Sequence, residues 1–97
     1  MLKVTRLENK NQFIIRVNDY IYFQSYNSLI ASYNTITKEL ILFTDWDYSK
    51  TTLKHLYLFF DYYVSNKYLN DLWSKSNKKQ YIQKLINENK IKYSNEY

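Results

Sequence analysis

Apolar residues follow two different periods along this chain, and the period changes once. Up to about residue 44, apolar and polar positions alternate, which is typical of β-strands. After Ser49, apolar residues recur every three or four positions, which is typical of amphipathic helices. This order predicts an α+β protein, with an N-terminal antiparallel sheet of three or four strands and helices packed on one side of it.

Four stretches have the strand pattern. The clearest are Gln12–Val17 and Tyr20–Tyr26, which Asn18 and Asp19 would join as a hairpin with a type I′ turn. Both faces of this hairpin are largely apolar, so the pattern does not decide which face the helices cover. The other two strands are predicted at Ser28–Tyr33 and Glu39–Thr44, and Leu2–Leu7 could form an additional short strand.

The junction between the two patterns has the features of a helix start. Ser49 suits the N-cap position, because its hydroxyl can accept a backbone N–H of the first helical turn. Tyr48 before the cap and Leu53 inside the helix suit a hydrophobic staple. We therefore expect a central helix from Lys50 to about Ser65.

The last third of the chain is predicted to form two shorter amphipathic helices, Tyr68–Lys75 and Lys78–Asn89. The chain would then be one small α+β domain, because 97 residues allow one modest core. Its parts would be a sheet at 1–48, the central helix at 49–66, a basic helical segment at 67–91 and a tail at 92–97.

Two stretches resemble a known family. Phe23–Ala31 (FQSYNSLIA) and Trp46–Leu56 (WDYSKTTLKHL) are similar to a family of short proteins of unknown function, encoded by phages and mobile elements of low-GC Gram-positive bacteria. The resemblance covers roughly residues 12–64 and carries no settled activity, so no residue inherits a catalytic role. It implies a small accessory protein that acts inside an infected bacterial cell.

The composition excludes several classes of function. The chain has no glycine, so it has neither a glycine-rich phosphate loop nor a dinucleotide fingerprint. It has no cysteine, which removes disulfides, thiol catalysis and thiolate metal sites. No stretch contains the roughly 20 apolar residues of a membrane span, and because Met1–Arg6 has no long apolar run we expect no signal peptide. We expect a cytoplasmic protein of the bacterial host cell, without a cofactor and without a membrane partner.

The sequence offers few residues for catalysis. His55 is the only histidine, and we expect it to be a surface or boundary residue of the central helix. Asp45 and Asp47 could hold Mg²⁺ as in nucleases, although their position beside the helix start also suits a capping role. We expect no catalytic residue and no metal site, and a metal-dependent nuclease remains the least favoured of three hypotheses.

Two groups of residues are candidates for binding. Twelve tyrosines are too many for one small core, and exposed aromatic residues gather at protein interfaces. The candidate interface residues are Tyr20, Tyr22, Tyr26, Tyr62 and Tyr63. Residues 67–97 hold seven lysines and three acidic residues, and lysines interleaved with aromatic rings are typical of nucleic-acid binding. The candidate nucleic-acid contacts are Lys67, Lys75, Lys78, Lys79, Lys84 and Tyr81.

The leading hypothesis is a non-enzymatic phage accessory protein that inhibits a host defence system, in the manner of an anti-CRISPR protein, by binding a host protein or ribonucleoprotein. The alternative is a small basic protein that binds DNA or RNA through its C-terminal helices. Aromatic surface or a free strand edge would also allow a homo-oligomer.

Overall fold

The computed structural model describes residues 2–6 and 11–95, and within them six strands form one mixed sheet. The strands lie side by side in chain order. Each of the first five is antiparallel to its neighbours within that group, whereas the sixth is parallel to the fifth. The strands are β1 Leu2–Arg6, β2 Gln12–Val17, β3 Tyr20–Ser25, β4 Ser28–Asn34, β5 Leu40–Phe43 and β6 Lys92–Ser94.

Two α-helices lie between β5 and β6 in the chain. They are α1 Lys50–Tyr63 and α2 Lys78–Asn87, separated by a short 3₁₀ turn at Leu72–Ser74. Ser49 is the N-cap of α1, because its Oγ accepts the N–H of Thr52 at 3.1 Å, as the sequence indicates.

The α+β class was predicted, but the expectation of a three- or four-stranded antiparallel sheet with three helices was wrong. The sheet has six strands within the described residues, because β1 pairs with β2 and because Lys92–Ser94, predicted to lie in a tail, pairs in parallel with β5. A strand of three residues whose partner lies far earlier in the chain has no local signal. The pairing is reinforced by an ion pair between Lys92 Nζ and Glu39 Oε2 at 2.9 Å.

The helix predicted at Tyr68–Lys75 does not form, and this segment contains only the 3₁₀ turn. Side chains bond to the backbone here instead. The Oδ1 of Asn66 accepts the N–H of Tyr68 at 2.8 Å, and the Oγ of Ser74 donates to the carbonyl of Asp71 at 2.7 Å. Such local bonds compete with the helical ladder, and a segment this short cannot outweigh them.

Helix α1 packs on one face of the sheet and runs antiparallel to β3. At its start, the hydroxyls of Thr52 and Ser25 are 3.0 Å apart. In its middle, Phe59 stacks on Phe23 with ring centroids 5.8 Å apart. At its end, the guanidinium of Arg16 lies 5.3 Å from the ring centroid of Tyr63. The core therefore lies between this face and the helices.

The core side chains are almost fully shielded from solvent, and complete burial of one aliphatic or aromatic side chain stabilises the fold by about 1.5–3 kcal/mol. The 3₁₀ turn and α2 contribute to the same cluster as α1 and the sheet. Its fully buried large apolar members are Ile14, Phe23, Ile30, Tyr33, Leu42, Leu56, Phe59, Leu72 and Ile82.

Tight turns in this glycine-free chain use other residues in the left-handed region. Asn18 and Asn89 have φ of 54° and 59°, which asparagine tolerates better than most residues. Asp19 is not among the residues with positive φ, so the β2–β3 loop is not a type I′ turn, which needs two. Tyr26 has φ of 56° and is held there by hydrogen bonds from its N–H to Asn11 and from Gln24 to its carbonyl.

Candidate binding surfaces

The second face of the sheet points away from both helices, and we call it the open face. Side chains of paired residues project from the same side of a sheet, so the strand register defines its members. Three rows of side chains cross it, and they are Leu2, Val17, Tyr20 and Asn34; Val4, Ile15, Tyr22, Ser32, Ile41 and Lys92; and Phe13, Gln24, Leu29, Phe43 and Ser94, of which Phe43 is buried.

The open face carries more apolar side chains than is usual for a sheet face that no helix covers. Residues along an antiparallel strand ordinarily alternate between apolar side chains on the covered face and polar side chains on the uncovered face. Here Leu2 is 64% exposed, Val4 55% and Tyr20 41%. The ring of Tyr20 stacks on that of Tyr22 at 5.8 Å, which extends the apolar surface toward β4. Among the side chains that the structure describes, charge on this face is confined to the β6 margin, where Lys92 pairs with Glu39.

The structure does not bring the five predicted interface tyrosines together. Tyr20 and Tyr22 lie on the open face. Tyr62 and Tyr63 lie at the end of α1, on the helix side of the sheet, with their rings 6.4 Å apart. Tyr26 is exposed in the turn between β3 and β4. Only the first two belong to a large apolar surface.

The two motif stretches meet at a pocket of about 590 Å³ beside the start of α1. Its polar atoms bond to one another, because Ser28 Oγ donates to Asp45 Oδ2 at 3.0 Å and Ser25 bonds to Thr52. These contacts attach the β3–β4 turn to the sheet–helix junction. They give the motif residues a structural role that accounts for their polar chemistry.

The residues considered for catalysis are also held apart. Asp45 bonds to Ser28, whereas Asp47 Oδ2 lies 3.6 Å from Lys79 Nζ on α2. Within residues 2–6 and 11–95, no three histidine or acidic side chains come together as metal ligands. His55 is 3% exposed, so the expectation of a surface or boundary position was wrong. Its Nδ1 lies 2.9 Å from the carbonyl of Thr51, which makes Nδ1 the protonated nitrogen.

The six C-terminal candidates for nucleic-acid contact are mostly engaged within the protein. Lys67 lies over the ring of Tyr68, and Lys75 over that of Tyr81, at 5.2 and 4.7 Å from the centroids. The hydroxyl of Tyr81 donates to the carbonyl of Tyr68 at 2.6 Å. Lys79 pairs with Asp47, and Lys84 is exposed on α2.

The remaining candidate, Lys78, donates from its Nζ to the carbonyl of Lys75 at 3.2 Å and also lines a groove between the two helix starts. We call it the lysine–tryptophan groove, and it is formed by Lys50, Leu53, Lys54, Tyr57, Trp73 and Lys78, with a volume of about 310 Å³. Burial raises the pKa of the Tyr57 hydroxyl above its ordinary value of 10.0, so this hydroxyl stays neutral to a higher pH than that of a free tyrosine.

The sequence model of a family of unknown function, DUF8033, matches residues 2–90. The chain belongs to this family. The match includes the sheet up to β5, both helices and every residue of the lysine–tryptophan groove. Comparisons with curated proteins and with solved structures find no match.

Sequence reasoning missed both the open face as a unit and the groove of this DUF8033 member. The residues Phe13–Val17 show that both faces of the hairpin are apolar, but they do not show which face the helices cover. The groove joins Lys50 and Tyr57 to Trp73 and Lys78 through tertiary packing, which no spacing in the sequence encodes. None of the helices in the described part of the chain has the length and apolarity needed to span a bilayer.

Proposed function

We propose that this DUF8033 protein is a non-enzymatic binding protein that docks its open face on another protein. The apolar character of that face carries the proposal. Exposed apolar patches of several hundred Å² on soluble proteins commonly mark interaction sites. Each side chain in the three rows covers about 4.8 Å by about 6.7 Å, which gives the open face an area of about 400–500 Å².

The area favours a different protein over a second copy of the same chain. A stable interface buries about 800 Å² on each partner, whereas two open faces stacked on each other would bury about half of that. A partner that also contacts the edge strand β1 reaches the larger area, because Leu2 and Val4 are exposed there and β1 pairs, within the described part of the chain, with β2 alone. The net charge of +5 favours encounter with an acidic partner over a basic one.

The finer proposal is that the partner is a host defence nuclease, such as a CRISPR effector, alone or as a ribonucleoprotein. The protein would inhibit by covering a functional surface, as a phage or mobile-element accessory protein. The resemblance of Phe23–Ala31 and Trp46–Leu56 to phage-encoded proteins supports this choice. The positive charge argues against DNA mimicry, which needs an acidic surface.

The test is DNA cleavage by purified CRISPR effector ribonucleoproteins from low-GC Gram-positive bacteria, with and without the protein. We expect inhibition of at least one effector by the wild type and loss of inhibition in Tyr20→Lys. The matched control is Tyr62→Lys, which places the same charge at an exposed tyrosine on the helix side. Absence of inhibition across the effectors, or equal inhibition by both variants, would contradict the proposal.

Light scattering of the free protein separates the proposal from self-association. We expect a monomer. A dimer that Tyr20→Lys dissociates would show that a second copy occupies the open face, and the proposed partner would then be wrong.

A second candidate function, nucleic-acid binding, is favoured by the lysine–tryptophan groove. The groove lies among the helices, whereas the open face lies on the other side of the sheet. The two functions therefore use different surfaces and can be tested separately.

A further inference from the structure

The lysine–tryptophan groove exposes a large aromatic ring that the core does not need. Trp73 is 52% exposed, although tryptophan is among the most costly side chains to leave in water. The ring is nevertheless held in place. The ring of Tyr57 meets it edge-on at 6.1 Å and 80°, and the Nζ of Lys78 lies 5.5 Å from its centroid. A fixed, half-exposed indole is suited to stack on a planar ligand.

The same groove concentrates positive charge. Lys50, Lys54 and Lys78 line it, and among the described residues no carboxylate does. Lys50 and Lys78 are also the first residues of α1 and α2, and neither helix has an acidic residue in its first turn. Lysines in these positions add to the positive ends of the helix dipoles, so an anion between them would be stabilised.

Cations beside a fixed aromatic ring match the two parts of a nucleotide, its phosphate and its base. We propose that the lysine–tryptophan groove binds single-stranded nucleic acid, with a base stacked on Trp73 and adjacent phosphates near Lys50 and Lys78. A duplex fits poorly, because its bases are already stacked on each other and cannot reach the indole. An acidic peptide would use the lysines but not the ring.

The intrinsic fluorescence of the protein reports on this contact directly. The other tryptophan, Trp46, is 3% exposed, so a ligand in solution reaches Trp73 alone. We would titrate wild-type protein with unlabelled 15-nucleotide poly(dT) and poly(U), and follow quenching of the exposed tryptophan. Anisotropy with labelled strands at about 50 and 150 mM salt gives the affinity and its salt dependence.

Substitutions separate the stacking of a base on Trp73 from the electrostatic attraction between lysines and phosphates. Stacking of one base is worth about 1–3 kcal/mol, so Trp73→Ala should weaken binding about 5- to 150-fold, and Trp73→Phe should recover part of it. Lys50→Gln with Lys78→Gln should reduce the slope of log affinity against log salt by about 1.4. Circular dichroism of each variant checks that the fold is retained.

Two matched controls test the position of the site. Tyr93→Ala removes an aromatic ring that is 47% exposed outside the groove, and Lys3→Gln removes an exposed lysine on β1. Both should bind single strands as the wild type does. The proposal is overturned by wild-type affinity in Trp73→Ala, by equal losses in Lys3→Gln and Lys50→Gln, or by binding to duplex alone.

These results are independent of the proposed protein partner. The Trp73→Ala variant should inhibit a partner nuclease as strongly as the wild type does at saturating protein, because the substitution leaves the open face unchanged. Tyr20→Lys should bind single strands normally. Failure of one function in these assays therefore leaves the other intact.

Discussion

Neighbouring residues of β2 should respond very differently to the same substitution, because they lie on opposite faces of the sheet. Ile14 is 1% exposed in the core beneath the helices, whereas Ile15 is half-buried on the open face. Threonine keeps the β-branched shape in both cases, so strand propensity changes little. The comparison of Ile14→Thr with Ile15→Thr therefore isolates the burial of each face.

The expected loss in the free energy of unfolding follows from the groups that each substitution removes and buries. Ile14→Thr removes about one buried methylene, worth about 0.8 kcal/mol, and buries a hydroxyl without a partner at a cost of about 1–3 kcal/mol. We expect a loss of about 2–4 kcal/mol in the free energy of unfolding. In Ile15→Thr the hydroxyl reaches water, so the loss should stay below about 1 kcal/mol.

The assay is urea unfolding followed by circular dichroism, with thermal melts as a second measurement. A loss of 1 kcal/mol lowers the Tm of a domain of this size by about 4–8 °C. Ile14→Thr should therefore lower Tm by at least about 8 °C, and Ile15→Thr by less than that. Equal losses at the two positions would refute the reasoning, because they would mean that the open face is covered in the free protein.

Three further predictions concern the core and the junction. Ser49→Ala should cost about 1 kcal/mol of stability by removing the cap on Thr52, and an unchanged urea midpoint would show that the cap contributes nothing. Gln12→Met should raise the free energy of unfolding by about 1–2 kcal/mol, because Gln12 is 0% exposed and its amide has no hydrogen-bond partner among the described residues; a lower midpoint would mean that the amide is satisfied. Burial raises the pKa of Tyr57 above 10.0, so the contribution of this hydroxyl to stability is present below pH 10.0 and is lost as the pH rises further. Tyr57→Phe should therefore lose less stability than the wild type between pH of about 9 and about 11. Equal losses of stability in the two proteins would contradict this prediction.

Local signals predicted much of the fold correctly. The predicted hairpin is found as β2 and β3, and its two-residue loop sets Ile15 opposite Tyr22. The N-cap at Ser49 and the start of α1 at Lys50 also follow from the sequence. In each case the decisive residues are neighbours in the chain.

The features that sequence reasoning missed depend on contacts between distant residues. β6 pairs with β5 through a parallel register that its three residues do not signal. His55 is buried because α1 lies on the sheet, yet its helical position alone also suits a boundary residue. The segment after α1 has helical periodicity at Leu69, Leu72 and Trp73, but its asparagine and serine side chains bond to the backbone instead.

The candidate sites show the same division. The sequence indicated an excess of tyrosine and a basic last third, and both are present. It did not show that Val4 of β1 joins Tyr20, Tyr22 and Ile15 on one face, nor which face of the hairpin the helices leave open. Nor did it show that Lys50 of α1 faces the same groove as Lys78 of α2, since that arrangement arises when the two helices pack.

The central claim is that the open face docks on a partner protein. The most direct measurement is the Kd of Tyr20→Lys and of Tyr62→Lys for an effector ribonucleoprotein that the wild type inhibits, at one salt concentration. Loss of a buried aromatic contact together with burial of a charge costs at least about 2 kcal/mol, so Tyr20→Lys should bind about 30-fold more weakly than Tyr62→Lys. Equal Kd values, or a larger loss in Tyr62→Lys, would place the interface on the helix side and contradict the account.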